Sequence, residues 1–423
     1  MVLAYKLSLS CEIHYNSRIK GCKVVERKVY MDKLMSYKDM QLIKVITGIR
    51  RCGKSTLLKL FVENLKNSGI TEDRITFVNL EEKENESLKQ VDNLYDFIKN
   101  RLVKDQMNYV LIDEVQECKN FQQAVDSLFV KDNVDIYVTG SNAHLLSGEL
   151  ATLLSGRYIT IEMLPLSFGE YLESVGKDNL ERKFRDYLRF GSFPFILQFN
   201  GNEDQIRNYL DALYNTIFKK DILMHNRISF EDTLEKVTRF VFDNIGNLVS
   251  SKKISDTLTS NNTKVSQPTI ESYLNALTNS YIIYKVNRYD VKGKQHLKTL
   301  SKYYVADMGI RNYLLGYKNT DRGFVLENIV YLELLRRGYK VFIGKVDNGE
   351  IDFVVFKGSD TIYVQVTESI KDPKTFEREI KPLKDVKDYN QRLIISTDYD
   401  VNDSYDGIKH LNILDFLLEN KYI

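Results

Sequence analysis

One short run of the sequence has the residue types and spacing that hold the phosphates of a nucleotide. Residues 48–55 read GIRRCGKS and match the pattern GxxxxGK[ST], which functions when a strand precedes it and a helix follows it. The apolar run 42–47 predicts that strand, and residues 54–65 predict that helix. Glycines permit the tight turn, amides at the helix N-terminus point at phosphate oxygens, the lysine reaches the β and γ phosphates, and the serine binds Mg²⁺. The pattern predicts a site for ATP and Mg²⁺ formed by Gly48, Ile49, Arg50, Arg51, Cys52, Gly53, Lys54, Ser55 and Thr56.

Two adjacent carboxylates follow the apolar run YVLI further along the chain. Asp113 is a candidate to hold Mg²⁺ through water, and Glu114 is a candidate to polarise the water that attacks the γ-phosphate. An isolated pair of this kind would more often be solvated acids at a strand end. The phosphate loop upstream favours the catalytic interpretation.

Further candidates follow the next strand. Asn142, or Ser141 beside it, would orient water near the γ-phosphate if this strand lies between the two motif strands; each could instead cap a helix. Arg157 is a candidate arginine finger for the nucleotide of a neighbouring subunit, which would require a homo-oligomer. It could equally be a salt-bridged surface residue, and Arg50 and Arg51 are alternative charge stabilisers.

The elements that must position these residues are short apolar strands alternating with helices. Continuous apolar runs indicate strands buried on both faces, hence a parallel α/β sheet. The predicted strands are 42–47, 75–80, 109–113, 135–140 and 158–163. The predicted organisation is an N-terminal extension over 1–30, a nucleotide-binding domain over 31–200, a helical domain over 201–300 and a mixed domain over 301–423.

Several of these blocks together resemble a known family. GIRRCGKSTLL, LIDEVQ, TGSNAHLLSGELATLLSGRY and LPLSFGEYL, with the later KYYVADMGI, LEN, RRG and EID, are similar to AAA-type (ASCE) ATPases of bacteria and archaea that carry a C-terminal domain of unknown function. The resemblance covers the chain from about residue 30 onward. It implies an ATPase fold and roles for Lys54, Ser55, Asp113, Glu114 and Asn142, and it leaves the substrate open.

The middle segment has the pattern of a winged helix. Residues 254–258 and 268–278 predict the two helices of a helix-turn-helix, with Ser266 or Gln267 as the cap and Pro268 in the first turn, and 281–300 predict a hairpin as the wing. Nine Lys or Arg against three Asp or Glu lie between residues 251 and 302. Such a local excess suits contacts to double-stranded DNA, and the candidate phosphate contacts are Lys264, Lys292 and Lys294. The alternative is a winged helix that packs on protein only.

The tail is similar to the PD-(D/E)xK restriction-endonuclease fold. Helix 325–337 and strands 340–343, 351–356 and 361–367 are predicted. Glu327, Glu350 and Asp352 are the acids, but Gln365 and Thr367 stand at the second acid and lysine positions, and Lys371 would help only if the chain folds back. Two of the three chemical roles are therefore missing, which predicts a nuclease-like fold without efficient cleavage. Glu350 and Asp352 could also be an ordinary polar strand end.

Composition bounds the remaining possibilities. The chain has 423 residues, a net charge of +2, four cysteines and five histidines, with no CxxC pair and no metal-ligand spacing, so reduced thiols, a cytoplasmic location and no zinc site are expected. No apolar stretch long enough to span a membrane is present. The sequence thus predicts an ATPase that couples ATP hydrolysis with Mg²⁺ to movement acting on DNA or on a protein client. The alternatives are an ATP-dependent metal nuclease and a non-hydrolysing, ATP-gated binding module or regulator.

Overall fold

Five parallel strands form the first sheet of the computed structural model, which describes residues 24–143, 154–224, 226, 228, 230–318, 321–347 and 349–419. The strands are β1 (Ile43–Thr47), β2 (Ile75–Asn79), β3 (Asn108–Asp113), β4 (Val134–Gly140) and β5 (Tyr158–Glu162). Their order is β2-β3-β4-β1-β5. Every residue of β1, β3 and β4 is buried, as expected for apolar strands covered by helices on both faces. The predicted α/β fold class with a parallel P-loop sheet is confirmed.

Helices pack against this sheet. They are α1 (Lys28–Ser36), α2 (Lys54–Asn67), α3 (Val91–Lys99) and α4 (Phe121–Phe129). Short 3-10 turns occur at Glu72–Arg74, Lys83–Lys89, Val115–Glu117 and Pro194–Phe199. Helix α1 crosses the boundary predicted at residue 30, and Tyr30 is buried in the core. The last residues of the predicted extension therefore pack with the nucleotide-binding unit, whereas residues 1–23 lie outside the described residues.

A series of helices follows the sheet. They are α5 (Phe168–Val175), α6 (Leu180–Phe190), α7 (Glu203–Thr216), a π-helix (Ile217–Met224), α8 (Glu231–Asp243), α9 (Ser251–Ser260) and α10 (Gln267–Asn279). The predicted N-cap of α10 is confirmed. The Ser266 side chain accepts a hydrogen bond from the Thr269 amide, and Pro268 lies in the first turn. A bridge pairs Val249 with Ser301, so the segment has the order helix, bridge, helix, helix, hairpin.

The second sheet is mixed and has eight strands in the order β12-β13-β11-β10-β9-β8-β6-β7. Its strands are β6 (Ile283–Asp290), β7 (Gln295–Val305), β8 (Lys340–Val346), β9 (Gly349–Lys357), β10 (Asp360–Val366), β11 (Gln391–Ser396), β12 (Ser404–Tyr405) and β13 (Ile408–Asn412). Its helices are α11 (Met308–Leu315), α12 (Arg322–Arg336), α13 (Pro373–Lys384) and α14 (Ile413–Leu418). The β6–β7 hairpin, predicted as a wing, pairs through β6 with β8. The hairpin is therefore part of the C-terminal sheet, and β7 crosses the boundary predicted at residue 300; the domain division remains a prediction.

Among the helices in the described ranges, none is both long and apolar enough to cross a membrane.

Candidate nucleotide-binding site

The phosphate-loop pattern lies at the carboxyl end of the first sheet, between β1 and α2. Gly48 and Gly53 both have positive φ, 141° and 109°. A Cβ atom on Gly48 would lie 2.1 Å from the backbone oxygen of Met163, so only glycine fits this approach. The turn brings the chain directly into the N-terminus of α2, where free amides favour an anion.

Lys54 begins α2 and is buried. Its Nζ donates to the backbone oxygens of Gly48 at 3.0 Å and Ile49 at 3.3 Å, and it lies 4.0 Å from Oε1 of Glu114. The Lys54 ammonium therefore lies between the phosphate loop and the carboxylate of Glu114, which follows β3.

Thr139, near the end of β4, orients the two acids that end and follow β3. Its hydroxyl donates to Asp113 Oδ1 at 2.5 Å and accepts from the Glu114 amide at 2.9 Å. This arrangement requires β4 to lie beside β3. The observed order places β4 between β1 and β3, which is the condition on which the prediction for Asn142 depended. The strand ends therefore bring the two acids and Lys54 to one edge.

The surroundings of the two acids shift their pKa values in opposite directions. Burial raises the pKa of the Asp113 carboxyl above its ordinary value, although the Thr139 hydrogen bond opposes it. Burial alone would also raise the pKa of Glu114, but the Lys54 ammonium and the amide of Gln116 hold it below its ordinary value. Glu114 is therefore a buried yet ionised carboxylate at neutral pH.

The residues at this edge fit a divalent cation. Asp113 Oδ2 is buried with no hydrogen-bond partner in the described structure, and buried polar oxygens normally have one. The Ser55 hydroxyl interacts with the Asp113 carboxyl and lowers its pKa. A hydroxyl and a carboxylate are the hard oxygen ligands that Mg²⁺ takes at such sites.

The two arginines of the phosphate loop, Arg50 and Arg51, have different environments. Arg50 is buried and donates from Nε and Nη2 to the Asp221 carboxylate at 2.9 and 3.0 Å, and from Nη1 to Glu81 at 3.0 Å. These carboxylates raise the pKa of Arg50 against the opposing effect of burial. Arg51 is exposed, with a φ of 67°, and it lines a cleft of about 710 Å³ with Phe195 and other residues.

Asn142 and Ser141 are buried at the end of β4. The Asn142 side-chain amide donates to the backbone oxygen of Asp221 at 3.2 Å, and Gln116 donates weakly to Ser141 Oγ at 3.5 Å. Asn142 thus faces the same neighbour as Arg50. Residues 144–153, the centre of the block TGSNAHLLSGELATLLSGRY, lie outside the described residues.

Arg157 lies away from the phosphate loop of its own chain. Its backbone oxygen accepts from the Ile43 amide at 2.8 Å, which places it at the amino end of β1, roughly 13 Å of strand from the loop. Its guanidinium contacts Asp126 at 2.5 Å. Within one chain it is a salt-bridged residue, and action on a second subunit remains a prediction.

Two residues of this region were missed by the sequence analysis. Asp221 lies 171 positions from Arg50 in a segment without a motif. Arg27 fell in the predicted extension, yet its guanidinium donates to the Cys52 oxygen of the phosphate loop at 2.8 Å, to Leu164 O at 2.6 Å and to Glu170 at 3.0 Å. An isolated arginine before a short helix gives no sequence signal of this role.

The predicted acids of the tail surround a lysine. Lys302 Nζ lies 2.9 Å from Glu327 Oε1, 2.8 Å from Glu350 Oε1 and 3.5 Å from Asp352 Oδ1. The ammonium on β7 therefore lies among the three carboxylates, and Tyr304 donates to Glu327 at 2.5 Å.

The two substituted nuclease positions have other partners. Gln365 donates to Glu379 at 2.7 Å and accepts from the Asp352 amide at 3.2 Å. Lys371 does not fold back: its Nζ lies 4.0 Å from Asp398. In the described part of the chain no group of three or more His, Cys, Asp or Glu side chains is arranged to hold a metal ion.

The parallel sheet, the loop at its carboxyl edge and the acids beside it define a P-loop nucleotide-binding protein. Residues 40–172 match a family model described as an AAA domain, and residues 181–321 match a domain of unknown function (DUF8612). An uncharacterized protein of Haemophilus influenzae is 38% identical over 401 residues, 94% of this chain and 99% of that protein. One of Methanocaldococcus jannaschii is 32% identical over 403 residues, 90% of this chain and 86% of that protein.

The chain therefore belongs to the family of these two proteins, and residues 40–172 are its ATP-binding AAA domain. The Walker-type ATPase of Pyrococcus abyssi is similar to this chain at a TM-score of 0.48 and 16% identity, covering 69% of this chain and 96% of that structure.

Proposed function

We propose that this protein hydrolyses ATP with Mg²⁺ and converts the cycle into a movement of its C-terminal half that acts on DNA or on a protein partner. The observation that carries the proposal is the arrangement at the sheet edge. Lys54 lies 4.0 Å from an ionised Glu114, and the neighbouring Asp113 keeps one buried oxygen without a partner. A site that only stores nucleotide has no need of a buried, ionised carboxylate beside the phosphate loop.

Each residue has a distinct task in this proposal. The amides of the loop and Lys54 bind the phosphates, while Ser55 and Asp113 would hold Mg²⁺, which neutralises charge on the β and γ phosphates. Glu114, ionised at neutral pH, orients the attacking water and accepts its proton. Asn142 is the candidate to report whether a γ-phosphate is present.

Double-stranded DNA is the partner that the middle segment favours. Exposed lysines lie on α9, in the loop between α9 and α10 and in the turn of the β6–β7 hairpin, among them Lys264, Lys292 and Lys294. Lys292 is paired with Asp347 at 2.9 Å, but this contact is exposed and therefore weak. A protein client is the alternative. In that case DNA should not stimulate ATP turnover.

The deciding experiment measures ATP turnover by the full chain with Mg²⁺, with and without double-stranded DNA. Lys54→Ala and Glu114→Gln should each reduce kcat by about 10²–10³-fold. Lys66→Ala, in a surface ion pair at the far end of α2, is the matched control and should retain turnover. Stimulation by DNA selects DNA as the partner, and turnover indifferent to DNA selects a protein client. ATP binding without turnover would refute hydrolysis and leave the ATP-gated binding module.

The nuclease alternative is less favoured by the observed contacts. Gln365 is engaged by Glu379, and Lys302 supplies a positive charge at the centre of the acids. Metal-dependent cleavage of DNA by the purified protein, lost in Asp352→Ala, would nevertheless establish it.

A further inference from the structure

A buried carboxylate outside every predicted motif touches the nucleotide site. Asp221 belongs to the π-helix Ile217–Met224, directly after α7, and only 1% of its surface is exposed. π-helical turns are uncommon and often occur at functional sites. The segment is also the covalent path from the nucleotide-binding unit to the helices that follow it.

Asp221 orients the Arg50 guanidinium. It accepts from Nε and Nη2 in a bidentate pair at 2.9 and 3.0 Å, and such a planar pair fixes the guanidinium in one orientation. The third contact, from Nη1 to Glu81, is on the open side, where the Glu81 side chain is 40% exposed. Both Arg50 and Glu81 line the cleft beside the phosphate loop.

The same residue also accepts from Asn142. The backbone oxygen of Asp221 takes the Asn142 amide at 3.2 Å, so one segment contacts both the phosphate loop and the end of β4. An entering γ-phosphate competes readily with the exposed Glu81 for Nη1 of Arg50. It competes poorly with Asp221, which is buried and holds two donors.

We propose that Asp221 is a positioning residue for the γ-phosphate: it holds Arg50 and Asn142 in the orientation that distinguishes ATP from ADP. This inference rests on the proposed function, because it concerns how that nucleotide site recognises its ligand. It also gives the γ-phosphate a direct connection to the segment Ile217–Met224, and so to α8 and the helices beyond.

The test compares the affinities of a non-hydrolysable ATP analogue and of ADP, measured by calorimetry on the full chain. Wild-type protein should prefer the triphosphate. Asp221→Asn, which keeps the shape but removes the charge, should reduce that preference about tenfold while the affinity for ADP is unchanged. Glu235→Gln, which breaks an exposed ion pair with Arg239 on α8, should leave both affinities unchanged.

A double-mutant cycle separates positioning from a general structural role. If Asp221 acts through Arg50, Asp221→Asn adds little to the loss of triphosphate preference caused by Arg50→Ala. Asp221→Glu should restore part of the preference, and it also serves as the folded variant if Asp221→Asn does not fold. An unchanged preference, equal losses for ATP and ADP, or additive effects of the two substitutions would each overturn the inference.

The two failures can be told apart. Wild-type protein that binds ATP without turnover refutes hydrolysis, but its ratio of triphosphate to diphosphate affinity still tests Asp221. Active wild-type protein whose ratio is unaffected by Asp221→Asn refutes only the role of Asp221.

Discussion

Replacing Lys302 by methionine should destabilise the C-terminal sheet strongly. The buried ammonium is within 3.5 Å of three carboxylates, and removing one partner of a buried ion pair leaves uncompensated charge that costs about 3–5 kcal/mol. For a unit of 150–250 residues this corresponds to a decrease in Tm of about 6–20 °C.

The loss should depend on pH. Burial and the nearby Glu327 already raise the pKa of Asp352 well above its ordinary value, while Lys302 lowers it. A carboxyl with a raised pKa in the folded state makes folding less favourable as the pH rises from its unfolded pKa, about 3.9, through its folded pKa. Without Lys302 the folded pKa rises further and this window widens. The deficit of Lys302→Met relative to wild type should therefore be smaller near pH 5 than near pH 8.

Thermal unfolding of wild type, Lys302→Met and Lys285→Met at both pH values measures this difference. Lys285 is an exposed lysine on the neighbouring strand β6, and its replacement should change Tm by no more than a few degrees at either pH. A Lys302→Met deficit that is equal at pH 5 and pH 8, or no larger than that of Lys285→Met, would refute the reasoning.

Three further predictions concern the nucleotide site and its partner. Arg27→Met should weaken ATP binding about tenfold or more, because the Cys52 carbonyl of the loop loses a charged donor, and titration with labelled ATP measures it. Lys264→Glu should weaken binding to double-stranded DNA and reduce the dependence of log Kd on log salt by about one counterion; an unchanged slope removes Lys264 from the interface. Turnover per molecule should rise with protein concentration, and Arg157→Ala should remove the rise; turnover independent of concentration would leave Arg157 in its pair with Asp126.

The parts that the sequence predicts well depend on short stretches of chain. The phosphate loop needs eight consecutive residues, and the strand before Asp113 is a continuous apolar run, so the first sheet and its edge residues follow from local pattern. Asp221 could not be found in this way, because its partner Arg50 is 171 positions away and nothing near it distinguishes it from a surface aspartate. Arg27 was missed for a related reason: its partners lie up to 143 positions away, and its own neighbours have no clear period.

The hairpin shows how tertiary contacts change the meaning of a correctly predicted element. Strands β6 and β7 were expected, but their alignment in the eight-stranded sheet is set by long-range pairing with β8 and by Lys302, which joins β7 to α12 and β9. The β6–β7 hairpin and the tail are therefore joined through a buried ion cluster. Movement between them would expose that cluster and would be costly.

We therefore expect the proposed movement at the junctions between the nucleotide-binding unit and this combined body of hairpin and tail. Contacts at these junctions besides Asp221 include Asp307, which accepts from the Ser192 amide at 2.5 Å, and Arg336, which donates to the Pro165 oxygen at 3.1 Å. Of these three contacts, that of Asp221 is the one that also touches the phosphate loop. On loss of the γ-phosphate, the first change in structure is therefore expected in Ile217–Met224. Hydrogen exchange in that segment should differ between the ATP-analogue and ADP states, while exchange in β7 should not, and equal changes in both would contradict a rigid C-terminal body.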